Sequence, residues 1–274
     1  MKLLAELGKG KSLDDFAMID NKNEDWKYIK FPEDINNFKI SKGESSNSSQ
    51  KAHIVIRDNN YEVLKEHNDF EIINANSFSK VVIDDYSNRP LDRFVLQQKD
   101  KSTSGLVIRT INSSKEPLDI EIQSSGTNVP YIGVIAEKNI TSSIKFLFTE
   151  TSKGSSYPLI DYKLNSNSQI DTYIVHNTPK SSSSVTSFYA QIGKDASLNM
   201  HCVSFGSNLS RIRFDIDLDG VGSNFNIEGV YFGDEDGLVD YRVFVNHNVK
   251  NTSSNMLLKG ALVDQSNSVF TGTI

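Results

Sequence analysis

SRIRFDIDLDG (Ser210–Gly220), VGSNFNIEGVYFG (Val221–Gly233), DEDGLVDYRVFVNHNVK (Asp234–Lys250), NTSSNMLLKGALVD (Asn251–Asp264) and QSNSVFTGTI (Gln265–Ile274) make up the last quarter of the chain. They read as successive short strands, each closed by Gly, Asn or Asp. In the first, Ile212, Phe214, Ile216 and Leu218 alternate with Arg211, Arg213, Asp215 and Asp217. Side chains of a strand point to opposite faces with period two, so this segment is expected to bury its apolar row and solvate its charged one.

Working outward, runs of the same kind begin near Gly105, Leu118, Tyr131, Ile144, Pro158, Ile170, Val185, Ser197, Arg211, Asn224, Val239, Asn255 and Ser268. The interval is roughly 12–16 residues, which strand-rich domains and solenoids share. Upstream, HIVIRD, FEIINA, KVVIDD and RFVLQQK also read as strands, and YEVLKEHNDF as one or two helical turns. Leu13, Phe16, Ala17 and Ile19 sit at helical spacing after a candidate N-cap, Ser12. Trp26, Tyr28 and Phe31 form an aromatic group suited to anchoring an N-terminal arm, and Lys42–Gln50 is a polar, Ser-rich linker. The chain thus divides into an arm and linker over 1–50 and a strand-rich core over 51–274. A sandwich would use tight hairpins marked by Asn-Gly or Asp-Gly. Asp219-Gly220 and Asp236-Gly237 are present, but most connections are longer and lack that mark. Strand number, spacing and the lack of helical patterning after about residue 100 favour a β-solenoid.

Composition narrows the function. Of 274 residues 37% are hydrophobic, and the mean hydropathy is -0.39. The net charge of -6 leaves no basic surplus to neutralise phosphates, which argues against nucleic acid as a partner. No apolar run approaches the roughly 20 residues that cross a bilayer, and MKLLAELGKGK is too poor in apolar residues for a secretory core. The expected location is cytoplasmic. A single cysteine, Cys202, rules out an intramolecular disulfide framework and a Cys-only metal site.

Few residues suggest chemistry. Asp215-x-Asp217-x-Asp219-Gly220 imitates the start of a calcium loop, but the twelfth position is Asn226 rather than Glu, so a strand with a solvated acidic face is the better account. His201-Cys202 is the one adjacent pair of soft ligands; alternation turns Cys202 inward and His201 outward, leaving an inert buried thiol. His53, His67, His176 and His247 are dispersed without ligand spacing. Ser181–Ser184 reads as a loop with no base beside it. No Walker loop, nucleophile elbow or dinucleotide fingerprint occurs. No catalytic residue and no metal ligand is therefore assigned.

The last 65 residues carry a resemblance. Ser210-Arg211 leads a strand ending in Leu218-x-Gly220; Gly229 and Asp240 follow; then come His247, Ser254, Lys259-Gly260 and Phe270-x-Gly272-x-Ile274. In that order these features resemble the SufB/SufD family, scaffold proteins of the SUF iron–sulfur cluster assembly system. GLVIRTINSSKEPLDIEI, YIGVIAEKNITSSIKFLFTE and EDWKY are similar to earlier parts of the family more loosely. The resemblance implies a right-handed parallel β-helix with a partly helical N-terminal arm. It also implies a non-enzymatic scaffold working with a SufB-like subunit and a SufC-like ABC ATPase, the cluster residing transiently on the complex; a homodimer is a further option. Where family members often have Cys, this chain has Thr252. With one thiol in all, the chain looks closer to SufD and is expected to hold no stable cluster alone, since four thiolates normally bind one. Related proteins continue beyond Phe-x-Gly-x-Ile, so the core is expected to be truncated, with an uncapped last strand. The competing expectation is a β-helix acting on or binding polysaccharide, for which Asp84-Asp85 or Asp234-Glu235-Asp236 would supply the acids.

Overall fold

The computed structural model describes residues 7, 9–16, 18–20, 22, 26–27, 35–36, 38–41, 51–57, 59–75, 82, 89–150 and 154–274. The linker Lys42–Gln50, Ala17, Tyr28, Phe31 and Asp84-Asp85 lie outside the described residues, as does KVVIDD apart from Val82.

From Gly105 onward the chain winds as a parallel β-solenoid of about six turns, as expected. One sheet holds β5 (Leu118–Ser124), β8 (Thr141–Glu150), β11 (Gln169–Thr178), β13 (Ser197–Gly206), β15 (Asn224–Gly233) and β17 (Ser253–Leu262). The other holds β4 (Gly105–Thr110), β7 (Tyr131–Ala136), β10 (Leu159–Leu164), β12 (Ser183–Ile192), β14 (Leu209–Leu218), β16 (Leu238–His247) and β18 (Asn267–Thr273). Two-residue strands β6 (Thr127–Asn128) and β9 (Ser155–Ser156) extend the second sheet at one corner. All thirteen runs marked in the sequence are these strands, two per coil.

Each coil stacks on the last in register, so equivalent residues recur every 26–29 positions and bond to one another. Asn167 Nδ2 donates to Asn139 Oδ1 at 2.8 Å, Asn199 to Asp171 at 2.7 Å, and Asn226 to Asn199 at 2.9 Å. One corner is turned by Asn139, Asn167, Asp195, Gly222 and Asn251, all at positive φ between 54° and 79°. Asn and Asp tolerate that left-handed conformation because their short polar side chains bond locally, which is why the corner needs no glycine in every coil. The same geometry explains Asp219-Gly220: it is a corner between parallel strands, not a hairpin.

The inward rows fill the solenoid with Ile, Phe, Leu and Val, from Ile54 and Ile120 at one end to Val243 and Val245 near the other. Rings stack along the axis, with Phe188 and Phe214 5.0 Å apart and 9° from parallel. Alternation thus does in every coil what it promised at Ser210.

Two expectations change upstream, and FEIINA is a strand as expected. YEVLKEHNDF is not helical: Asn60–Val63 is a strand, β2, antiparallel to β1 (Ile54–Arg57), entered through Asn59 at φ 62°. Phe70–Asn74 is β3, antiparallel to β4. RFVLQQK is not a strand but lies in α1, Arg93–Lys101. Its N-cap is Asp92, whose side chain accepts from Val95 N–H at 2.9 Å, and Lys99 and Lys101 occupy its last turn where the helix dipole favours cations. The short apolar run FVL hid the helix, because a three-residue run fits either period. Leu13–Asp15 form a 3-10 turn behind Ser12.

Helix and arm pack on the outer face of the second sheet. Trp26, Ile35, Phe38 and Phe94 join Val129, Tyr157, Val185, Leu209 and Leu238 in a second apolar layer. Phe38 stacks on Tyr157 at 4.0 Å, and Trp26 meets Phe94 edge-on at 5.8 Å. Gln98 in α1 donates to the carbonyls of Pro158 and Val185, both at 2.9 Å. This layer overturns the first expectation drawn from Ser210. Every residue of β14 is buried, the charged row included.

Candidate functional site

Under the arm, the outer row of β14 and its neighbour β16 forms a buried charge cluster. Arg211 is in register with Asp240, and Arg213 with Arg242. Arg211 Nη2 and Arg213 Nη1 both reach Asp92 Oδ2, at 2.7 and 2.9 Å. Arg213 also clamps Asp215 with two bonds of 2.7 and 2.9 Å. Arg211 Nε and Arg242 Nε approach Asp240 Oδ2 at 3.3 and 3.1 Å. The three guanidinium groups lie over aromatic rings: Arg211 over Phe94 at 4.5 Å, Arg242 over Trp26 at 4.2 Å, Arg213 over Phe244 at 4.8 Å. Three cations face three carboxylates, so the cluster is neutral as a unit, the condition for ion pairs to survive burial. Burial opposes ionisation of Asp92, but Arg211 and Arg213 prevail and hold its carboxyl far below the usual range. Burial pushes Asp215 up, with Arg213 pulling against it. Asp215 and Asp217 are therefore not a solvated acidic face. Asp217 accepts from the Tyr189 hydroxyl and from Asn246, so neither acid is left to face a calcium ion.

The cluster has a signature in the sequence, distinct from that of a solvated face. Arg-x-Arg-x-Asp followed by Asp-x-Arg one coil later puts opposite charges on one strand face at matching register. A solvated row has no need of such matching; a covered one does.

The family-matching residues gather at the last coil. His247 ends β16 and Ser254 lies near the start of β17. The His247 ring joins them: Nδ1 lies 2.7 Å from Thr252 Oγ1 and Nε2 3.0 Å from Ser254 Oγ. Thr252 Oγ1 donates to the Val249 carbonyl at 3.2 Å. That leaves it an acceptor for the Nδ1 proton, and Nε2 accepts from Ser254. Both ring nitrogens are thereby occupied in tying one corner together. Lys259 points outward beside Val230 and is exposed. Gly260 faces inward under Tyr231, where any Cβ would fall inside that ring. Phe270 is 54% exposed, and Gly272 packs against its ring.

The remaining candidates separate. Cys202 points inward and burial pushes its thiol far above the ordinary range, whereas His201 points outward and stacks on Tyr173 at 5.0 Å. The two diverge as expected. His53 and His67, dispersed in sequence, do converge, with ring centroids 5.0 Å apart; the β1–β2 hairpin folds one back over the other. His53 Nδ1 accepts from the Asp119 N–H at 3.1 Å, and burial, then the field of His67, lowers its pKa. His176 is buried and stacked on Phe148 at 4.0 Å. Ser181–Ser184 is only partly a loop, since Ser183 and Ser184 open β12. Asp234 and Glu235 are bound by Lys180 at 2.8 and 2.7 Å. Among the described residues no group of three or more His, Cys, Asp and Glu is arranged to hold a metal ion. No described helix is long and apolar enough to cross a membrane.

Comparison with known proteins joins this geometry to a family. Residues 120–274 match the family model described as SUF system FeS cluster assembly, SufBD core domain, which begins in β5 and runs through every later coil. Over 78 residues the chain is 32% identical to an iron–sulfur cluster assembly SufBD family protein of Mycobacterium leprae. It is 33% identical over the same length to the SufBD family proteins of Mycobacterium tuberculosis and Mycobacterium bovis. These matches take in 28% of this chain and 20% of each relative, so the chain aligns with only a fifth of those proteins. More than half of the chain lies within the family model, and its coils supply the solenoid on which the family's residues sit: the chain belongs to the SufBD family of the SUF iron–sulfur cluster assembly system.

Proposed function

We propose that this chain is a non-enzymatic, cytoplasmic scaffold subunit of iron–sulfur cluster assembly, with a role closer to SufD than to SufB. The observation that carries the reading is the state of its one thiol within a SufBD core. Cys202 sits on an inward row, 2% exposed, where burial disfavours the thiolate that accepts sulfur or binds iron. Thr252, at the position where relatives often have Cys, offers a hydroxyl already engaged by His247. The cluster is cargo, and its thiolates come from elsewhere in the assembly.

On this reading the partners are a cysteine-bearing SufB-like scaffold and a SufC-like ABC ATPase. Co-expression of the chain with both, followed by affinity capture, is expected to recover all three together. Recovery of the chain alone under conditions that hold the other two together overturns the reading. Anaerobic reconstitution of the isolated chain with iron and sulfide is expected to give no stoichiometric sulfur-to-iron absorption, and a strong band would contradict it.

A further inference from the structure

The interior of the solenoid is apolar in most rows, but one inner corner is not. At the C-terminal ends of the first sheet's strands the inward column reads Ser124, Glu150, Thr178, Gly206, with Ser124 opposite Glu150 and Thr178 opposite Gly206. Facing it, at the N-terminal ends of the second sheet's strands, the column reads Ser156, Ser184, Ser210. His176 lies one inward position before Thr178.

The hydroxyls of Ser124, Ser156 and Ser184 and both ring nitrogens of His176 are buried without a hydrogen-bond partner among the described residues, and Glu150 has the Thr178 and Ser182 hydroxyls beside it without a well-formed hydrogen bond to either. Some polar groups of the same interior do pair directly. Tyr162 meets Thr172 at 3.1 Å, and one coil further along the corner Ser204 meets Ser210 at 3.0 Å. An unpaired buried polar group costs about as much free energy as a hydrogen bond is worth, and a row of them would cancel much of a domain's net stability. The column is largely Ser and Thr where neighbouring rows carry Ile and Phe. Donors and acceptors both line it, and its two titratable groups are favoured in their neutral forms by burial. A charged ligand would face that same desolvation, whereas water matches the lining.

We propose that this corner, from Ser124 to Ser184, is an internal hydration site, in which ordered waters bridge Glu150 and His176 to the surrounding hydroxyls. The site does not depend on the scaffold reading; it follows from the solenoid's own interior.

A crystal structure of the full chain near 1.8 Å resolution is expected to show solvent peaks within hydrogen-bond distance of Glu150 and His176. A dry corner, its side chains turned to bond one another, overturns the proposal. Stability gives a second readout through Thr178→Val, which replaces a hydroxyl by a methyl group of similar shape. In a wet corner the waters lose a partner and Tm falls by about 2–4 °C; in a dry one an unpaired hydroxyl disappears and Tm rises, which also overturns the proposal. Thr172→Val, which removes a directly paired hydroxyl, serves as the reference and lowers Tm in either case.

Discussion

Asp92 does three things at once: it caps α1 through the Val95 N–H and accepts a hydrogen bond from each of Arg211 and Arg213. Removing its charge leaves two buried guanidinium groups with one carboxylate fewer. Asp92→Asn keeps the shape and the capping oxygen, so its effect isolates the ion pairs. Unfolding free energy is expected to fall by about 3–5 kcal/mol, measured by urea denaturation. Trp26, the only tryptophan, sits against Arg242 and Phe94 and reports the loss by its emission. A second residue-scale prediction concerns pH. Burial pushes Glu150 up to about 8, against the pull of the Ser182 and Thr178 hydroxyls, and pushes His176 down to about 3. Where the folded chain holds the Glu150 proton and the unfolded chain does not, stability falls as pH rises, by at most about 1.4 kcal/mol per unit. That limb runs from the ordinary carboxylate range to about pH 8. Neutral His176 works the other way, adding stability as pH rises from about 3 to the ordinary imidazole value. The two cancel where they overlap, and above that the Glu150 limb remains. Glu150→Gln is expected to abolish the decline between neutral pH and pH 8. Thr252→Cys gives a third check. Its thiol, half-buried beside an exposed His247, should be alkylated by iodoacetamide in the native protein while Cys202 reacts only after unfolding. Reaction of native Cys202 would remove the central support for the SufD-like role.

At the scale of elements, the corner ladder is the device that lets an irregular sequence repeat. Asn139, Asn167, Asp195, Gly222 and Asn251 share one left-handed position in five successive coils. Asn167→Gly should therefore be nearly neutral, while Asn167→Val should cost about 1–2 kcal/mol for forcing a β-branched residue into that conformation; circular-dichroism melts distinguish the two. These five residues also show what sequence alone could and could not yield. Alternation such as Ile212, Phe214, Ile216 placed all thirteen strands of the solenoid, because inward burial imposes period two whatever the coil. The outward row obeys no such rule. Arg211, Arg213 and Asp215 look the same in sequence whether water or a helix covers them, and the cover comes from residues more than a hundred positions away. For the same reason RFVLQQK reads as a strand, since its helical face is defined by what it packs on. At the last coil His247, Thr252 and Ser254 were legible as a spacing. Their hydrogen bonds were not, because a corner brings together side chains that spacing alone leaves apart.

At the scale of the molecule, each coil contacts chiefly its two neighbours, so stability is expected to vary along the axis rather than to be shared evenly. The middle coils, β10 to β14, carry stacked rings inside and the arm outside. The last, β17 and β18, has Leu257, Leu262, Val263 and Phe270 exposed. Hydrogen exchange should show the slowest amides in β12 and β14 and the fastest in β17 and β18; uniform protection would contradict the nearest-neighbour picture.

The ion pairs between α1 and the solenoid join residues 119 and 121 positions apart. During synthesis the helix leaves the ribosome long before its counter-charges exist. Arg211 and Arg213 must be made, and Asp240 with Arg242 after them, before the cluster can close as a neutral unit. The coils can wind one upon another as they emerge, but the helix has to wait, its apolar side uncovered, until β16 is out. Such distant contacts form slowly, and a chain holding an unpaired amphipathic helix is vulnerable in the interval. A helix made before these coils is thus locked only after them, and its docking is a late step in the folding of this core.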